Sequence, residues 1–263
     1  MGPQKKVGFE LEFGSNTTFT TLRRRMVSET GIAGIKIHED YSVDTNKKYN
    51  GEFVTPVWNY SEGMKNLRKM LKWMRKNDIE TDSTTGLHVN VSFAKKELNR
   101  AIDPSAILLL TDDIKWLRVF DRMTNKYCIT PKQELSICIR EVLRLRNITI
   151  EQMKSYMYQQ VLIELSEAED FSEDDSEFGA GHFFDKYFSI NLMKLAEKKP
   201  YIEYRFIGGS HYHCVCQEKK VFAAIDDIIT SFDKSISNRY EGVKTKYIRN
   251  MLTPAQRRRI KNK

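Results

Sequence analysis

The chain has 263 residues, of which 40% are hydrophobic and 11% aromatic, so it can bury a sizeable core and is not disordered as a whole. No apolar run approaches the roughly 18 residues that a membrane span needs, and the first residues lack the apolar stretch of a signal peptide. Its four cysteines are too few for a disulfide framework. We therefore expect a cytoplasmic protein without a membrane partner.

The formal net charge of +8 is unevenly distributed along the chain. Residues 164–177 hold eight acids and no base, and the tail 254–263 holds five bases and no acid. The remainder still has more bases than acids, which suits an anionic partner such as nucleotide phosphates or a nucleic-acid backbone. We expect the acidic segment of about 164–181 to be mobile or to form a solvated helix end.

Strands and turns are predicted for the first 56 residues. In KVGFELEFG, apolar residues alternate with Glu10 and Glu12, which predicts a strand whose two glutamates point to the same face. GIKIH and EFVTP are the next candidate strands. Asn50-Gly51 predicts a turn directly before the second of them.

A helix is predicted over residues 61–77, because an apolar stripe recurs there at helical spacing. The stripe consists of Met64, Leu67, Leu71 and Met74. Basic residues surround it between positions 65 and 76. A core-facing stripe with a solvated basic face is the simpler interpretation, and a helix that binds nucleic acid is the alternative.

LHVNVSF is predicted as the next strand, and a helical insertion of about 100–165 with three helix-start signals follows it. After the acidic segment, YFSINLMKLAEKK (187–199) predicts a helix, YIEYRFIGG a strand and VFAAIDDIITSF an amphipathic helix. No internal repeat or linker divides the sequence. The pattern therefore predicts a single α+β domain over residues 1–263.

Four of the predicted strands each present polar side chains on one face. These side chains are Glu10, Glu12, Glu52, His88, Asn90, Glu203 and Arg205. Taken alone, the alternation in each strand is typical of an antiparallel sheet that has one face exposed to solvent. If the strands pair, however, their carboxylates lie so close together that they repel one another unless a cation lies among them. Oxygen ligands with a single imidazole favour Mg²⁺ or Mn²⁺ over zinc, and a neighbouring arginine suits ATP phosphates.

The ordered set GFELEF, HEDYSV, EFVTP, TGLHVNVSF and NLMKLAEKKPYIEYRFIGGS resembles the amidoligase family, relatives of glutamine synthetase and glutamate–cysteine ligase. The matching segments span residues 6–93 and 187–210, and DRMTNKYC resembles a weaker segment of the family. One position departs from the family pattern, because Asn90 stands where the family has a second histidine. Asparagine can still hydrogen-bond a phosphate or carbonyl, but it is neutral and not a base.

The resemblance implies a glutamine-synthetase-like fold, in which a curved antiparallel sheet has helices packed on one face and a helical insertion. It also implies a set of site residues by position. The implied metal ligands are Glu10, Glu12, Glu52, His88 and Glu203, the implied catalytic residues are Arg205 and Glu203, and the implied substrate or supporting residues are Asp40, Asn90, Asn191 and Arg122. Arg205 would meet the γ-phosphate or the acyl phosphate.

The implied function is ATP-dependent formation of an amide between a carboxylate and an amine, through an acyl phosphate and with Mg²⁺ or Mn²⁺ as cofactor. Its partners would be ATP, an acid and an amine. Two alternatives remain. One is a nucleic-acid-binding protein that uses the helix 65–76 and the basic tail 254–263, and the other is a ligase relative that binds nucleotide but has lost catalysis.

Overall fold

The computed structural model describes residues 4–95, 98, 102–126, 128–131, 188–195 and 198–236. The acidic segment 164–181, the tail 254–263 and most of the helical insertion of about 100–165 lie outside these residues. What the sequence predicts for those segments, and for the domain as a whole, stays a prediction.

One antiparallel sheet of eight strands forms the centre of the fold. The strands are β1 Lys5–Ser15, β2 Lys36–Glu39, β3 Tyr49–Val54, β4 Trp58–Asn59, β5 Ile79–Glu80, β6 Gly86–Phe93, β7 Ile190–Asn191 and β8 Ile202–Gly208. Their order is β2-β3-β1-β6-β8-β7, and the short strands β4 and β5 also pair with β1. The longest strand, β1, therefore lies inside the sheet, between β3 and β6.

Five helices accompany the sheet within the described ranges. They are α1 Phe19–Thr30, α2 Tyr60–Lys76, α3 Pro104–Leu110, α4 Asp113–Val119 and α5 Val215–Lys234, with a short 3₁₀ helix at Met193–Leu195. Helices α3 and α4 lie in the predicted insertion, and Asp103 and Asp112 cap their first turns. None of the described helices is long and apolar enough to cross a membrane. The predicted α+β class with an antiparallel sheet is confirmed.

Helices α1, α2 and α5 pack against the apolar face of the sheet. Phe53 of β3 stacks on Phe13 of β1 with ring centroids 4.2 Å apart, and its edge meets Trp73 of α2 at 6.0 Å. On the other side of the sheet centre, Phe93 of β6 packs on Phe232 of α5 at 4.5 Å. The predicted apolar stripe of α2 is buried as expected. Burial of each such side chain stabilises the fold by roughly 1.5–3 kcal/mol.

The strand register places polar residues side by side on the opposite face. The directly paired residues are Glu12 with Glu52, Glu10 with His88, Asn90 with Glu203, and Asn191 with Glu203. Residues paired across antiparallel strands have Cβ atoms about 5 Å apart, so their side chains can touch. Five strands, β1, β3, β6, β7 and β8, thus contribute to one polar surface.

A bulge in β8 lies opposite His88. One residue separates the paired positions 87 and 89 on β6, whereas Arg205 and Phe206 both separate positions 204 and 207 on β8. Phe206, within the bulge, and Ile207, directly after it, are both fully buried. Such bulges often lie next to active sites, because they change the direction of the side chains around them.

The predicted helix over residues 187–199 is wrong. Ile190 and Asn191 form strand β7, which pairs with β8, and only a 3₁₀ turn follows it. The apolar residues Phe188, Ile190 and Leu192 alternate with Ser189 and Asn191 and are buried. This period of two decides the local structure, and it places Asn191 on a strand rather than on a helix.

Two further differences lie in the first 56 residues. Helix α1 occupies a segment for which only strands and turns are predicted, because just two of its residues, Leu22 and Met26, are buried and no side chain caps its start. Asn50 and Gly51 lie within β3 and do not form a turn. A Cβ at Gly51 would collide with the carbonyl oxygen of His38 and lie 2.9 Å from the ring of Phe19. Close approach of neighbours therefore explains this glycine.

Gly63 allows α2 to approach β1 closely, and its replacement provides a test of this packing. A Cβ at Gly63 would collide with Val7 of β1 and lie 3.5 Å from Phe9. We expect Gly63→Ala to destabilise the protein by about 1–2 kcal/mol, because overpacking outweighs the better helix propensity of alanine. Urea denaturation measures the change. The exposed Ser61→Ala in the same helix should change stability by less than about 0.5 kcal/mol; equal effects of the two substitutions would contradict the packing argument.

Candidate active site

A buried histidine lies at the centre of the polar face. Nδ1 of His88 lies 3.1 Å from Oε2 of Glu10 and 3.3 Å from Oε1 of Glu203. Its other ring nitrogen, Nε2, lies 3.2 Å from Oε1 of Glu12. The side chains of His88, Glu12 and Glu203 are 5%, 4% and 6% exposed. Three carboxylates from β1 and β8 therefore share one imidazole from β6.

Protonation of this imidazole balances the charge of the cluster. Burial and Arg205 each lower the pKa of His88, but Glu12 and the hydrogen bonds to Glu10 and Glu12 raise it well above its ordinary value. Burial raises the pKa of Glu12 and of Glu203, but His88 and Arg205, together with Arg122 for Glu12 and Asn191 for Glu203, outweigh burial and lower both pKa values. In the metal-free protein, the imidazolium is therefore the cation that keeps the carboxylates together.

Glu10, His88 and Glu203 could hold a metal ion in place of that proton. Each offers one ligand atom, and the three atoms lie within 4.8 Å of one another. Within the described ranges, no other histidine, cysteine, aspartate or glutamate residues form such a group. Two carboxylates and one imidazole fit Mn²⁺ or Mg²⁺ better than zinc. Of the other two predicted metal ligands, Glu12 adjoins this group through His88, and Glu52 lies outside it.

Asn90 lies beside the metal-binding group and contacts Glu10. Its Nδ2 donates a hydrogen bond to Oε1 of Glu10 at 2.8 Å, which leaves Oε2 of Glu10 directed at His88. The Oδ1 atom of Asn90 is buried and has no hydrogen-bond partner among the described residues. A buried acceptor of this kind usually has a partner, and it is available to a ligand in the site.

Glu203 is held by an amide and a guanidinium. Nδ2 of Asn191 donates to Oε2 of Glu203 at 2.8 Å, and Nη1 of Arg205 lies 3.4 Å from Oε1. The Nε atom of Arg205 is buried without a hydrogen-bond partner in the described part of the chain. Both predicted residues therefore lie in the cluster, and Arg205 keeps donor capacity for an anionic ligand.

Glu12 is held by two groups that the sequence pattern does not reveal. The backbone N–H of Gly86 donates to Oε2 of Glu12. The hydroxyl of the fully buried Tyr212 donates to the backbone carbonyl of Glu12 at 2.8 Å. Neither contact has a local sequence signature, because one donor is a main-chain amide and the other lies 200 residues away.

Glu52 and Asp40 lie at the edge of the cluster. Burial raises the pKa of Glu52 to about 7, and the neighbouring Glu10, Asp40 and Glu12 contribute to the rise, while His88 opposes it. The Oδ1 atom of Asp40 accepts hydrogen bonds from the backbone N–H and the hydroxyl of Ser42 at 2.8 and 2.7 Å. Asp40 thus closes its own turn, and this turn holds it near Glu52.

Arg122 is buried behind the cluster and is only 2% exposed. Its Nη1 donates to the backbone carbonyl of Thr85, next to Gly86. The nearby Cys128 is also buried, which raises the pKa of its thiol, and its Sγ contacts the carbonyl of Arg205 at 3.2 Å. Burial keeps Cys128 a neutral thiol, so it has a packing role in this region.

A cleft of about 660 Å³ begins at Glu10 and Asn90 and extends along the polar face. Gly8 and Ser92 lie on its floor, and Val54, Thr55 and Val57 line one wall. Three lysines also line it, Lys6, Lys198 and Lys199, and none of them forms an ion pair among the described residues. The carboxylate cluster therefore opens into a cleft that can take an extended anionic molecule.

The raised pKa of Glu52 predicts a specific dependence of stability on pH. The folded state binds this proton up to pH of about 7, whereas the unfolded chain releases it near pH 4.5. Stability should therefore fall as pH rises from 4.5 to 7, because the folded state binds more protons over that range. Glu52→Gln removes this titration. As pH rises from 5 to 8 in EDTA, the free energy of unfolding of the variant should therefore increase by about 1–3 kcal/mol relative to that of the unmodified protein.

Urea unfolding at several pH values measures this difference. Glu62→Gln is the matched control, since Glu62 is exposed on α2 and makes no contact with the cluster. Its stability curve should run parallel to that of the unmodified protein. A parallel curve for Glu52→Gln would mean that Glu52 does not carry the extra proton.

Comparison with known protein families matches residues 3–216 to the family described as "Putative amidoligase enzyme". The match includes every residue of the carboxylate cluster, as well as Arg122 and Tyr212. A search of curated proteins finds no match to this chain. Because the matched segment covers most of the sequence, the chain belongs to the amidoligase family.

Proposed function

We propose that the protein is an ATP-dependent ligase that joins a carboxylate to an amine through an acyl phosphate, on a glutamine-synthetase-like sheet. The observation that supports this best is the buried group of Glu10, His88 and Glu203, which adjoins Arg205 and opens into the cleft. Membership of the amidoligase family supports a ligase reaction. ATP dependence, the intermediate and the metal are the proposed parts.

Glu10, His88 and Glu203 are the proposed holders of Mg²⁺ or Mn²⁺, with Glu12 and Glu52 beside them. A bound divalent cation would neutralise charge on the ATP phosphates where they meet the carboxylates. Asn90 and Asn191 would keep Glu10 and Glu203 in fixed orientations by donating the hydrogen bonds described above. The ligands would then need little rearrangement when the cation enters.

The cleft is the proposed site of the nucleotide. Its volume of about 660 Å³ is within the range of ligand pockets. The absence of a side chain at Gly8 leaves the floor open, since a Cβ there would meet its neighbours only at 3.7 Å or more. Lys198 and Lys199 would offset phosphate charge or contact the sugar and base, and the Oδ1 atom of Asn90 would accept a hydrogen bond.

Arg205 is the proposed contact to the transferred phosphate. In the reaction, an oxygen of the substrate carboxylate attacks the γ-phosphorus of ATP, and the bond to the ADP oxygen breaks. The amine nitrogen then attacks the acyl carbon, the bond to the phosphate oxygen breaks, and the nitrogen loses a proton. A guanidinium that is already anchored to Glu203 can stabilise the charge on the transferred phosphate without moving.

The structure of α2 gives less support to the alternative that this protein binds nucleic acid than to the ligase proposal. Arg68 packs over the ring of Phe222 at 4.3 Å, and Arg75 donates to Glu218 at 3.0 Å and to the carbonyl of His213 at 2.9 Å. These basic side chains are engaged within the protein, so they present less free charge to a phosphate backbone. A relative that binds nucleotide without catalysis remains the second candidate, and the assays below separate it from a ligase.

Metal binding should release protons and become tighter as pH rises. The imidazolium proton of His88 and the cation compete for the same carboxylates. We expect the dissociation constant for Mn²⁺ to fall by up to about tenfold per pH unit between pH 6 and pH 8 for each proton released. Titration calorimetry in buffers of different ionisation enthalpy measures the release. Binding that is independent of both buffer and pH would contradict a shared site for proton and cation.

Mg²⁺-dependent ADP release should require the carboxylate cluster. Pools of amino acids, polyamines and candidate proteins supply the acid and amine, and mass spectrometry identifies the amide. Glu10→Gln and Glu203→Gln should lower ADP release by about 100-fold or more, because each removes charge where the phosphates meet the cation. Glu62→Gln should behave like the unmodified protein. ATP binding with Mg²⁺ but no turnover with any pool would favour the noncatalytic relative.

A further inference from the structure

One peptide unit connects a buried arginine to a carboxylate of the cluster. The carbonyl of Thr85 accepts a hydrogen bond from Nη1 of Arg122 and a second one from the backbone N–H of Gly209 at 2.9 Å. The N–H of the same peptide unit belongs to Gly86 and donates to Oε2 of Glu12. The peptide is therefore bonded to a cation at its oxygen and to an anion at its nitrogen.

This arrangement strengthens the hydrogen bond to Glu12. A cation at a carbonyl oxygen draws electron density from the peptide, so its N–H becomes a better donor. Hydrogen bonds to ionised groups are also stronger than neutral ones. Because Oε2 of Glu12 is taken by Gly86, its Oε1 is left to face Nε2 of His88 at 3.2 Å. The peptide thus fixes the orientation of the Glu12 carboxylate, with one oxygen on the Gly86 N–H and the other facing His88.

Two glycines make the arrangement possible. Gly208 has a φ of +150°, and a Cβ there would collide with Nη1 of Arg122 and lie 2.6 Å from the oxygen of Thr85. A Cβ at Gly86 would lie 3.1 Å from both Oε2 of Glu12 and Nε2 of His88. Side chains at either position would push the arginine or the carboxylate away.

The backbone also fixes Arg122 in place. Its N–H donates to the carbonyl of Leu117 at 2.7 Å, and its carbonyl accepts from Asn125 at 3.0 Å. With 2% exposure, the side chain has almost no surface that a substrate could reach. A supporting role through the neighbouring peptide therefore fits Arg122 better than direct contact with a substrate.

We propose that Arg122 is a positioning residue for Glu12 and acts through the Thr85–Gly86 peptide unit. The consequence for metal and ATP rests on the proposed function, whereas the coupling between Arg122 and Glu12 does not. The test therefore combines a readout in the metal-free protein with a measurement of metal affinity.

The sequence offers a selective spectroscopic readout of this peptide. Only two glycines follow a threonine, at Thr30-Gly31 and Thr85-Gly86. Protein labelled with ¹³C at threonine carbonyls and ¹⁵N in glycine therefore gives two HNCO signals. Gly31 is the internal reference, because its N–H bonds to the carbonyl of Val27 at 3.0 Å at the end of α1. Arg122→Met should shift the Thr85 carbon and the Gly86 proton upfield together, and the Gly31 signal should stay unchanged.

Three variants complete the test. Arg75→Met is the matched control, because Arg75 is a partly buried arginine that, like Arg122, donates to a backbone carbonyl, that of His213. It should leave both signals in place. Gly208→Ala should reproduce the shifts of Arg122→Met by displacing the guanidinium. Arg122→Lys, which keeps the charge, should shift the signals less, and it replaces Arg122→Met if that protein does not fold.

Metal affinity gives the functional readout. Arg122→Met should weaken Mn²⁺ binding about tenfold, as is typical for groups that orient metal ligands, and Arg75→Met should not. A folded Arg122→Met or Gly208→Ala protein whose Gly86 proton does not move would overturn the proposal. If the unmodified protein binds no Mn²⁺ and turns over no ATP, the proposed function fails, and the HNCO signals still decide whether Arg122 positions Glu12.

Discussion

The structure around the site depends on one constraint, which is that three carboxylates lie within contact of a single buried imidazole. Charged groups removed from water are costly unless they are paired and hydrogen-bonded. The cluster meets this requirement with a proton on His88 and with a further donor for each carboxylate, namely Asn90 for Glu10, Gly86 for Glu12 and Asn191 for Glu203. A cation that replaces the proton would find its ligands already oriented. The same groups therefore stabilise the metal-free fold and would prepare the site for the proposed metal.

The sheet topology is what brings these groups together. Strand β1 supplies two carboxylates, β6 supplies the imidazole and β8 supplies the third carboxylate, so β6 must lie between β1 and β8. The bulge on β8 then adjusts the spacing opposite His88, where Arg205 lies. A shift of one residue in either pairing would send the polar side chains into the apolar core. The buried apolar face and the charged face therefore enforce the same register.

Much of this arrangement could be predicted from period-two alternation in four segments, because alternation identifies both the strands and the residues that share a face. The order of the motifs then indicated that the faces belong to one site. What the sequence could not indicate are contacts made by the backbone or over long separations, such as those of Gly86 and Tyr212 with Glu12. Asn191 contacts Glu203, but it lies on a strand rather than on the predicted helix, and this strand has only two residues. A strand this short is stabilised mainly by pairing with its neighbour, so the local sequence shows little strand pattern.

The distribution of cations along the polar face bears on how two anionic reactants can meet. Lys6 pairs with Ser92 at one end of β1 and β6, whereas Arg205 lies beyond His88 toward the opposite end. The carboxylate cluster separates these two cationic regions. In the proposed reaction, ATP would occupy the lysine-lined cleft, and the substrate carboxylate would approach from the side of Arg205. In this proposal, neither anion could reach the other across three carboxylates unless a divalent cation compensated them, so the proposed metal would be needed for the encounter as well as for the chemistry.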